Sequence, residues 1–314
     1  MSRETTPTCA WGAQGYGETL GAGALVDRAG DDRYLARDDG NISALYLGQS
    51  VSMAQGVGNG RRADLGDGHS MAGGFGVLAD GAGDDSYHAS AWSQGAGYWW
   101  SAGFLEDLGG NDRYRNGKYS LGAAAHFAVG CQVDNTGDDL YNIGHSGAVN
   151  QYQGHARDGS IGISVDGAGD DRYLLRSHCG GSGDLNSVGL FWDRAGRDEY
   201  LLLYKAPDKP DGWQDTPPLG SSTLYTPFHS FRDEMASQGI FLDSGGADVY
   251  RWDFSLGAGA ESEGGSGPRA GQGALPGATA TPAPVDAGDG LIWSTVRGPR
   301  SRGIGIDQAW YVRP

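Results

Sequence analysis

The chain has 314 residues, 57 of them glycine, and a formal net charge of −16. That charge excludes a protein whose main partner is a nucleic acid backbone or an anionic membrane, since both need a basic footprint. No apolar run approaches the length that spans a bilayer, so membrane insertion is not expected either.

The first residues, MSRETTPTCAWGAQGYG, carry no charged-then-apolar leader. They already contain a corner, Gln14-Gly15-Tyr16-Gly17. Residues 9 to 27 enter without a capping helix, which predicts an open end where unpaired backbone invites end-to-end association. From Asp27 an eight-residue phrase, D-x-x-G-x-D-x-Y, takes over. It reads DRAGDDRY (Asp27–Tyr34), DGAGDDSY (Asp80–Tyr87), DLGGNDRY (Asp107–Tyr114) and DNTGDDLY (Asp134–Tyr141). It returns as DGAGDDRY (Asp166–Tyr173), DRAGRDEY (Asp193–Tyr200) and DSGGADVY (Asp243–Tyr250). Successive copies begin 53, 27, 27, 32, 27 and 50 residues apart, so the unit is 27 residues with insertions.

A fixed phrase at a fixed period marks a repeat architecture, in which each unit buries its apolar face against its neighbours. Helical repeats are longer, and a propeller blade needs about 40 residues or more. Twenty-seven residues suit one coil of a parallel β-solenoid: short strands separated by tight corners. The rival is an antiparallel repeat such as a β-meander. The fold expected is all-β, a parallel β-solenoid (β-helix) with stacked Gly-Asp corners.

Four stretches interrupt the coil. Residues 35–79 carry two extra loops, one before Gln55 and one with Arg61, Arg62, Asp64, Asp67 and His69. Asn150 to Asp158 adds Gln151, Tyr152 and His155. Residues 205–236 are Pro-rich and bear Trp213, Tyr225, Phe228 and Phe231. Residues 257–290 are mostly Gly, Ala, Ser and Pro and read as flexible. The expected organisation is therefore a solenoid over 1–256 with insertions at 35–79 and 205–236, a flexible segment at 257–290, and a worn repeat over 291–314. That last copy is Gly303-Ile304-Gly305-Ile306-Asp307, with Tyr311 trailing it.

Gly sits four residues before each leading Asp, and the next residue is always apolar, as at Val77, Phe104, Cys131 and Ile163. The residue before Asp is mostly apolar, while polarity varies between the two, as at Gln132 and Ser164. Period-two alternation then predicts that Cys131 and Ile163 face inward and that the leading Asp faces outward. Cys131 is accordingly expected to be a core side chain. Cys9, Cys131 and Cys179 show no C-x-x-C or zinc spacing, and their odd number fixes no compartment. A second corner recurs after several tyrosines, as at Gln55-Gly56-Val57-Gly58 and Gln94-Gly95-Ala96-Gly97.

If coils stack in register, Asp27, Asp80, Asp107, Asp134, Asp166, Asp193 and Asp243 form one column. Asp32, Asp85, Asp112, Asp139, Asp171, Asp198 and Asp248 form another. Charges about 4.8 Å apart repel by roughly 0.9 kcal/mol in water and about 3.5 kcal/mol at an effective dielectric of 20. Summed over several neighbours, that rivals the whole stability of a domain. Three compensations are open. Turn N–H groups can hold each carboxylate. Arg28, Arg33, Arg113, Arg172, Arg194 and Arg197 can thread the columns. A hard cation can sit between coils on Asp oxygens and turn carbonyls. The recurrent Tyr is expected to stack, packing its ring and hydrogen-bonding its hydroxyl.

The phrase resembles the G-G-x-G-x-D turn of RTX (hemolysin-type) calcium-binding β-rolls, best at Gly167-Ala168-Gly169-Asp170-Asp171-Arg172-Tyr173 and at Gly81 to Tyr87. The resemblance implies Ca2+ between turns, bound by Asp85 and Asp171, and by repetition by Asp32, Asp112, Asp139, Asp198 and Asp248. It covers about eight residues in each 27. It departs from that family in spacing and in the leading Asp, and position five drifts to Arg197 and Ala247. The whole pattern is also similar to uncharacterised bacterial solenoid proteins that alternate a Q-G-x-G corner with this Asp-Tyr turn, a likeness that carries no activity.

Two functions follow as expectations. One is a non-enzymatic structural or binding module, Ca2+-stabilised and surface-associated, at an extracellular or cell-surface location, with a protein or carbohydrate partner on the inserted-loop face. The other is a polysaccharide-active β-helix enzyme, a lyase or hydrolase drawing on Arg61, Arg62, Asp64, His69, His155, Trp99 and Trp100. No G-x-S-x-G elbow, H-E-x-x-H or phosphate loop occurs.

Overall fold

Each repeat folds into three strands whose hydrogen bonds go to the neighbouring repeats. The computed structural model of the chain describes residues 12–36, 49–62, 69–144, 151–203, 218–223, 236–252, 291–296 and 301–307. All regular structure among them is β-strand. One complete repeat runs Gly97–Tyr98, then Ala102–Asp107, then Arg113–Arg115. The equivalents of these strands gather into a seven-stranded sheet of two-residue strands, a nine-stranded sheet of long strands and a seven-stranded tyrosine sheet. A fourth sheet pairs Val51–Ala54 with Ala91–Ser93.

Equivalent positions lie side by side. Asp107 is opposite Asp80 and Asp134, and Tyr114 is opposite Tyr87 and Tyr141, all in parallel pairing. A meander would pair its strands antiparallel, so stacked parallel sheets displace that rival. The arrangement is consistent with a parallel β-solenoid. Ser301–Asp307 continues the long sheet, setting Gly303 opposite Gly239 and Asp307 opposite Asp243. Leu291–Val296 then pairs antiparallel with it and forms that sheet's last strand. The aromatic residues of 205–236, Asp64 and Asp67, the segment 257–290 and Tyr311 fall outside the described residues.

The structure reverses the expected inward and outward faces of the long strand. In Val129–Asp134 the buried residues are Gly130, Gln132 and Asp134, while Val129, Cys131 and Val133 lie on the half-buried outer face. The same holds at Ile161–Asp166 and Val188–Asp193. Cys131 is therefore not a core residue, and the leading Asp points inside. The repeated Gly explains why. A Cβ at Gly103 would collide with the carbonyl oxygen of Ala96, and one at Gly130 with that of Ala123. The corner backbone lies directly against this residue, so its face must be the inner one.

The corner glutamines complete the coil. Gln55 and Gln94 take positive φ, and their Nε2 groups donate to the carbonyls of Tyr34 (2.7 Å) and Tyr87 (3.3 Å) in the tyrosine strands. Inside, the tyrosines form one stack. Tyr87, Tyr114, Tyr141 and Tyr173 follow one another at ring-centroid distances of 4.8, 4.8 and 4.7 Å, with interplanar angles of 11° or less. Leu78, Leu105, Phe191 and Phe241 pack against this stack. Gln132 and Ser164 occupy the same inner row, paired with each other at 2.5 Å.

Candidate functional site

The turn between the long strand and the tyrosine strand brings both aspartate columns inside, beside the tyrosine hydroxyls. Asp107, Asp112, Asp134, Asp139, Asp171 and Asp193 are fully buried, and Asp27, at the first coil, is half-buried. From Asp80 onward, each leading Asp receives the hydroxyl of the preceding copy's tyrosine. Tyr87 donates to Asp107 at 2.6 Å, Tyr114 to Asp134 at 2.7 Å, Tyr141 to Asp166 at 2.7 Å and Tyr173 to Asp193 at 2.9 Å. Tyr34 donates likewise to Asp80.

The second Asp column is tied by backbone. The N–H of Asp85 donates to Asp112 Oδ1 (2.6 Å), that of Asp112 to Asp139 (2.7 Å), and that of Asp139 to Asp171 (2.7 Å). The N–H of Asp171 donates to Asp198 at 2.8 Å. A third, exposed ladder runs the opposite way through the phrase's fifth position. Asn111 N–H donates back to Asp84, Asp138 to Asn111 and Asp170 to Asp138, each at 2.9 Å. This outer ladder was missed from sequence. Its signal was the carboxylate or amide at position five in the first five copies.

Of the three compensations, backbone capping is present. The arginine screen does not reach the columns. Arg28, Arg33, Arg113, Arg172, Arg194 and Arg197 are all exposed, whereas the columns from Asp80 onward are buried. Arg172 pairs with Glu199 (2.7 Å), and Arg197 with Asp170 of the outer ladder (2.5 Å), which holds that carboxyl below its ordinary range. Their guanidinium groups stay at the turn surface because burying them would strip their hydration.

The inner carboxyls are pushed up. Burial, then the neighbouring carboxylates, raises Asp112 to about 9 and both Asp171 and Asp198 to about 10. Burial likewise raises Asp85 to about 8 and Asp139 to about 7. Asp80, Asp134, Asp166 and Asp193 shift the same way, with burial the largest cause. Without a cation, Asp85, Asp112, Asp171 and Asp198 therefore hold a proton at neutral pH.

Oxygens are left over. Asp134, Asp166 and Asp193 at Oδ1, and Asp85, Asp112, Asp139 and Asp198 at Oδ2, are buried and accept no hydrogen bond. Each gap between coils gathers three carboxylates whose oxygens lie within 4.8 Å of one another, as in Asp112, Asp134 and Asp139, or Asp171, Asp193 and Asp198. An all-oxygen set suits a hard cation, and one divalent ion per coil would cancel its two aspartates. The count of open oxygens is smaller than Ca2+ takes, about six to eight. The turn carbonyls that the RTX resemblance would enlist already accept N–H bonds, Ala168 from Gly137 (2.8 Å) and Ala195 from Gly169 (3.0 Å). A proton shared within a coil meets the same need with fewer oxygens. Asp134 and Asp139, and Asp166 and Asp171, lie within hydrogen-bonding reach of one another.

The residues considered for catalysis separate. His155 is fully buried, with Nδ1 2.8 Å from Ser182 Oγ, and burial lowers its basicity. Arg62 lies over the Trp99 ring, and Trp100 stacks on Phe127. Arg62 Nη1 is 2.9 Å from His126 Nε2, and His126 Nδ1 is 2.6 Å from Asp158 Oδ2. His126 and Asp158 were not foreseen, because the insertions hide their 32-residue alignment. A guanidinium can only donate, so Nε2 accepts from Arg62 and the Nδ1 proton goes to Asp158. Neither imidazole nitrogen is left for a substrate. Arg61 pairs its backbone with Met71, and His69 is exposed.

Comparison with family models, with curated proteins and with solved structures finds no match.

Proposed function

We propose that the chain is a parallel β-solenoid acting as a non-enzymatic structural or binding module, its axis held together by neutralised aspartate columns. One observation carries this reading: every carboxylate that stands out is repeated, buried and tied to a tyrosine or a turn N–H. Catalysis needs a unique constellation open to substrate, and these groups are neither unique nor open. In this reading the columns are neutral because they share protons. The second reading, Ca2+ or another hard cation between coils, is favoured by the unengaged buried oxygens. It would suit an extracellular or cell-surface setting, where modules with weak Ca2+ sites work.

Thermal melting, with Ca2+ and with chelator at several pH values, separates the two. Bound Ca2+ adds about 2.7 kcal/mol at a hundredfold excess over Kd, so chelation would lower the midpoint, most strongly at high pH where protons no longer compete. Shared protons predict no chelator effect and a midpoint that falls as pH rises. A midpoint indifferent to both would remove the neutralisation argument. The polysaccharide-active alternative would need the Arg62–His126–Asp158 chain beside Trp99 to release an imidazole nitrogen to substrate. Sugar release from a polysaccharide panel, lost in His126→Ala, would establish it over the module.

A further inference from the structure

The outer face of the nine-stranded sheet has no part in the function proposed above. Its central row runs Val77, Phe104, Cys131, Ile163, Leu190 and Ile240 down six successive coils in unbroken register. The flanking rows are apolar as well, and Phe75, Ile161 and Ile304 are more than 40 % exposed (47, 45 and 42 %). Among the described side chains of this face, only Glu106 and Gln238 are polar, and both lie in outer rows. The turn bordering one edge has the same length in all seven copies, and at Arg194 its side chain lies over the Trp192 ring at the rim of this face (5.4 Å).

We propose that this face is the interface of a homodimer, with two copies packing long sheet on long sheet. Stacked sheets lie about 10 Å apart, and a two-fold axis makes the same patch serve both partners. Eight strands about 4.8 Å apart, each about six residues at ~3.3 Å, present on the order of 750 Å2. A specific interface takes about 800 Å2 per partner, and exposed apolar patches of this size mark interaction sites. Charge selects the occupant. The chain as a whole is strongly acidic, at −16. A basic partner would seek the acidic remainder of the surface, whereas the described strand side chains of this face carry one charge, Glu106. A second copy needs only a flat apolar match, with Glu106 left at the polar rim.

Sedimentation equilibrium of the full chain, from about 1 to 100 μM, tests this. The expected result is twice the chain mass, reverting to monomer in Ile163→Lys and unchanged in Leu108→Lys, whose site is an exposed turn outside the face. Cys131 lies in the fourth of the eight parallel strands, so a two-fold dimer brings it near its mate. A short bis-maleimide should therefore give a covalent dimer of the unaltered chain that Cys131→Ser abolishes, a readout independent of how the lysine variant folds. A monomer at 100 μM overturns the proposal, as does a dimer that survives Ile163→Lys with Cys131 unlinked. A monomer that floats with phosphatidylcholine vesicles overturns it in favour of a lipid surface.

Discussion

Replacing Asp193 by Asn should stabilise the protein at neutral pH, although Asp193 accepts two hydrogen bonds. Its Oδ2 receives the hydroxyl of Tyr173 and shares that of Tyr200 with Asp243, all at 2.9 Å, and the residue is fully buried. Burial first, then the charges of Asp166, Asp243 and Asp171, raises its carboxyl well above the ordinary range. Without a cation the charged form is therefore disfavoured in the native state relative to the unfolded chain, whose carboxyl titrates at about 3.9. Each pH unit by which folding raises the carboxyl costs about 1.4 kcal/mol once pH exceeds the raised value. Asn keeps the shape and the acceptor for both tyrosines while removing this cost. The predicted gain at pH 7 is about 1.4 kcal/mol for each unit of that rise, vanishing near pH 4. A proton shared with Asp198 would halve the gain and leave its sign unchanged. Asp193→Ala should instead destabilise by about 1–3 kcal/mol for the stranded Tyr173 hydroxyl, at either pH, since Tyr200 keeps Asp243 at 2.9 Å. Urea midpoints of the three proteins at pH 4 and pH 7, in chelator, decide the matter. A loss of about 3 kcal/mol or more for Asp193→Asn at pH 7 would refute the reasoning, because removing one partner of a buried ion pair has that effect.

Other expectations follow from the same geometry. Asp85, Asp112, Asp139, Asp171 and Asp198 titrate in the folded chain at about 8, 9, 7, 10 and 10, all above the ordinary carboxylate value. The folded state thus holds more protons than the unfolded one. Its stability is complete below the ordinary carboxylate range and declines as pH rises toward 10, so the melting midpoint in chelator should drop between pH 5 and pH 9, and a rise would contradict the assignment. Tyr141→Phe keeps both ring stacks (4.8 and 4.7 Å) but removes the 2.7 Å bond to Asp166, and should cost about 1–3 kcal/mol in denaturant titration. Gly137 has φ 151°, and a Cβ there would collide with the Gly110 carbonyl. Gly137→Ala should cost more than about 3 kcal/mol, and a folded protein of ordinary midpoint would show that the coils can spread apart.

The period, the parallel register and the tyrosine stack were legible because D-x-x-G-x-D-x-Y repeats whole. The inner and outer faces were not, and the reason is physical. Alternation identifies an inner face only when the other face is polar, and here Cys131, Ile163 and Leu190 line the outside. Gln132 and Ser164 reinforced the wrong choice. They are buried polar residues joined by one bond from Ser164 Oγ to Gln132 Oε1, with Gln132 Nε2 left unpartnered, and Gln153 Nε2 adds a bond to Ser164 at 3.0 Å. The invariant Gly near the start of each long strand held the answer, but it becomes informative only once the corner carbonyl it touches is known. Treating the leading Asp as outward also made arginine screening plausible. Burial of that column is what turns the compensation from guanidinium groups to protons or ions.

Two hydrogen-bond ladders of opposite sense explain how a stack with so much buried acid keeps its register. In the inner ladder each coil's N–H reaches forward to the next Asp, as Asp139 does to Asp171. In the outer ladder the later coil reaches back, as Asp170 does to Asp138. A coil displaced by one residue would break both at once and strand a tyrosine hydroxyl inside. Each carboxylate also has its environment set by the coil that follows. Asp134 is flanked by Asp166 and Asp139, and both raise its proton affinity. Asp27, in the first coil, is half-buried and has its Oδ1 held by the N–H groups of Arg28 (2.6 Å) and Ala29 (3.3 Å). Alkaline loosening should therefore begin in the middle coils, where like charges meet in the dry interior, and not at the first coil. Hydrogen exchange at pH 9 would show it as early loss of protection at Asp139 and Asp171, ahead of Arg33 to Leu35.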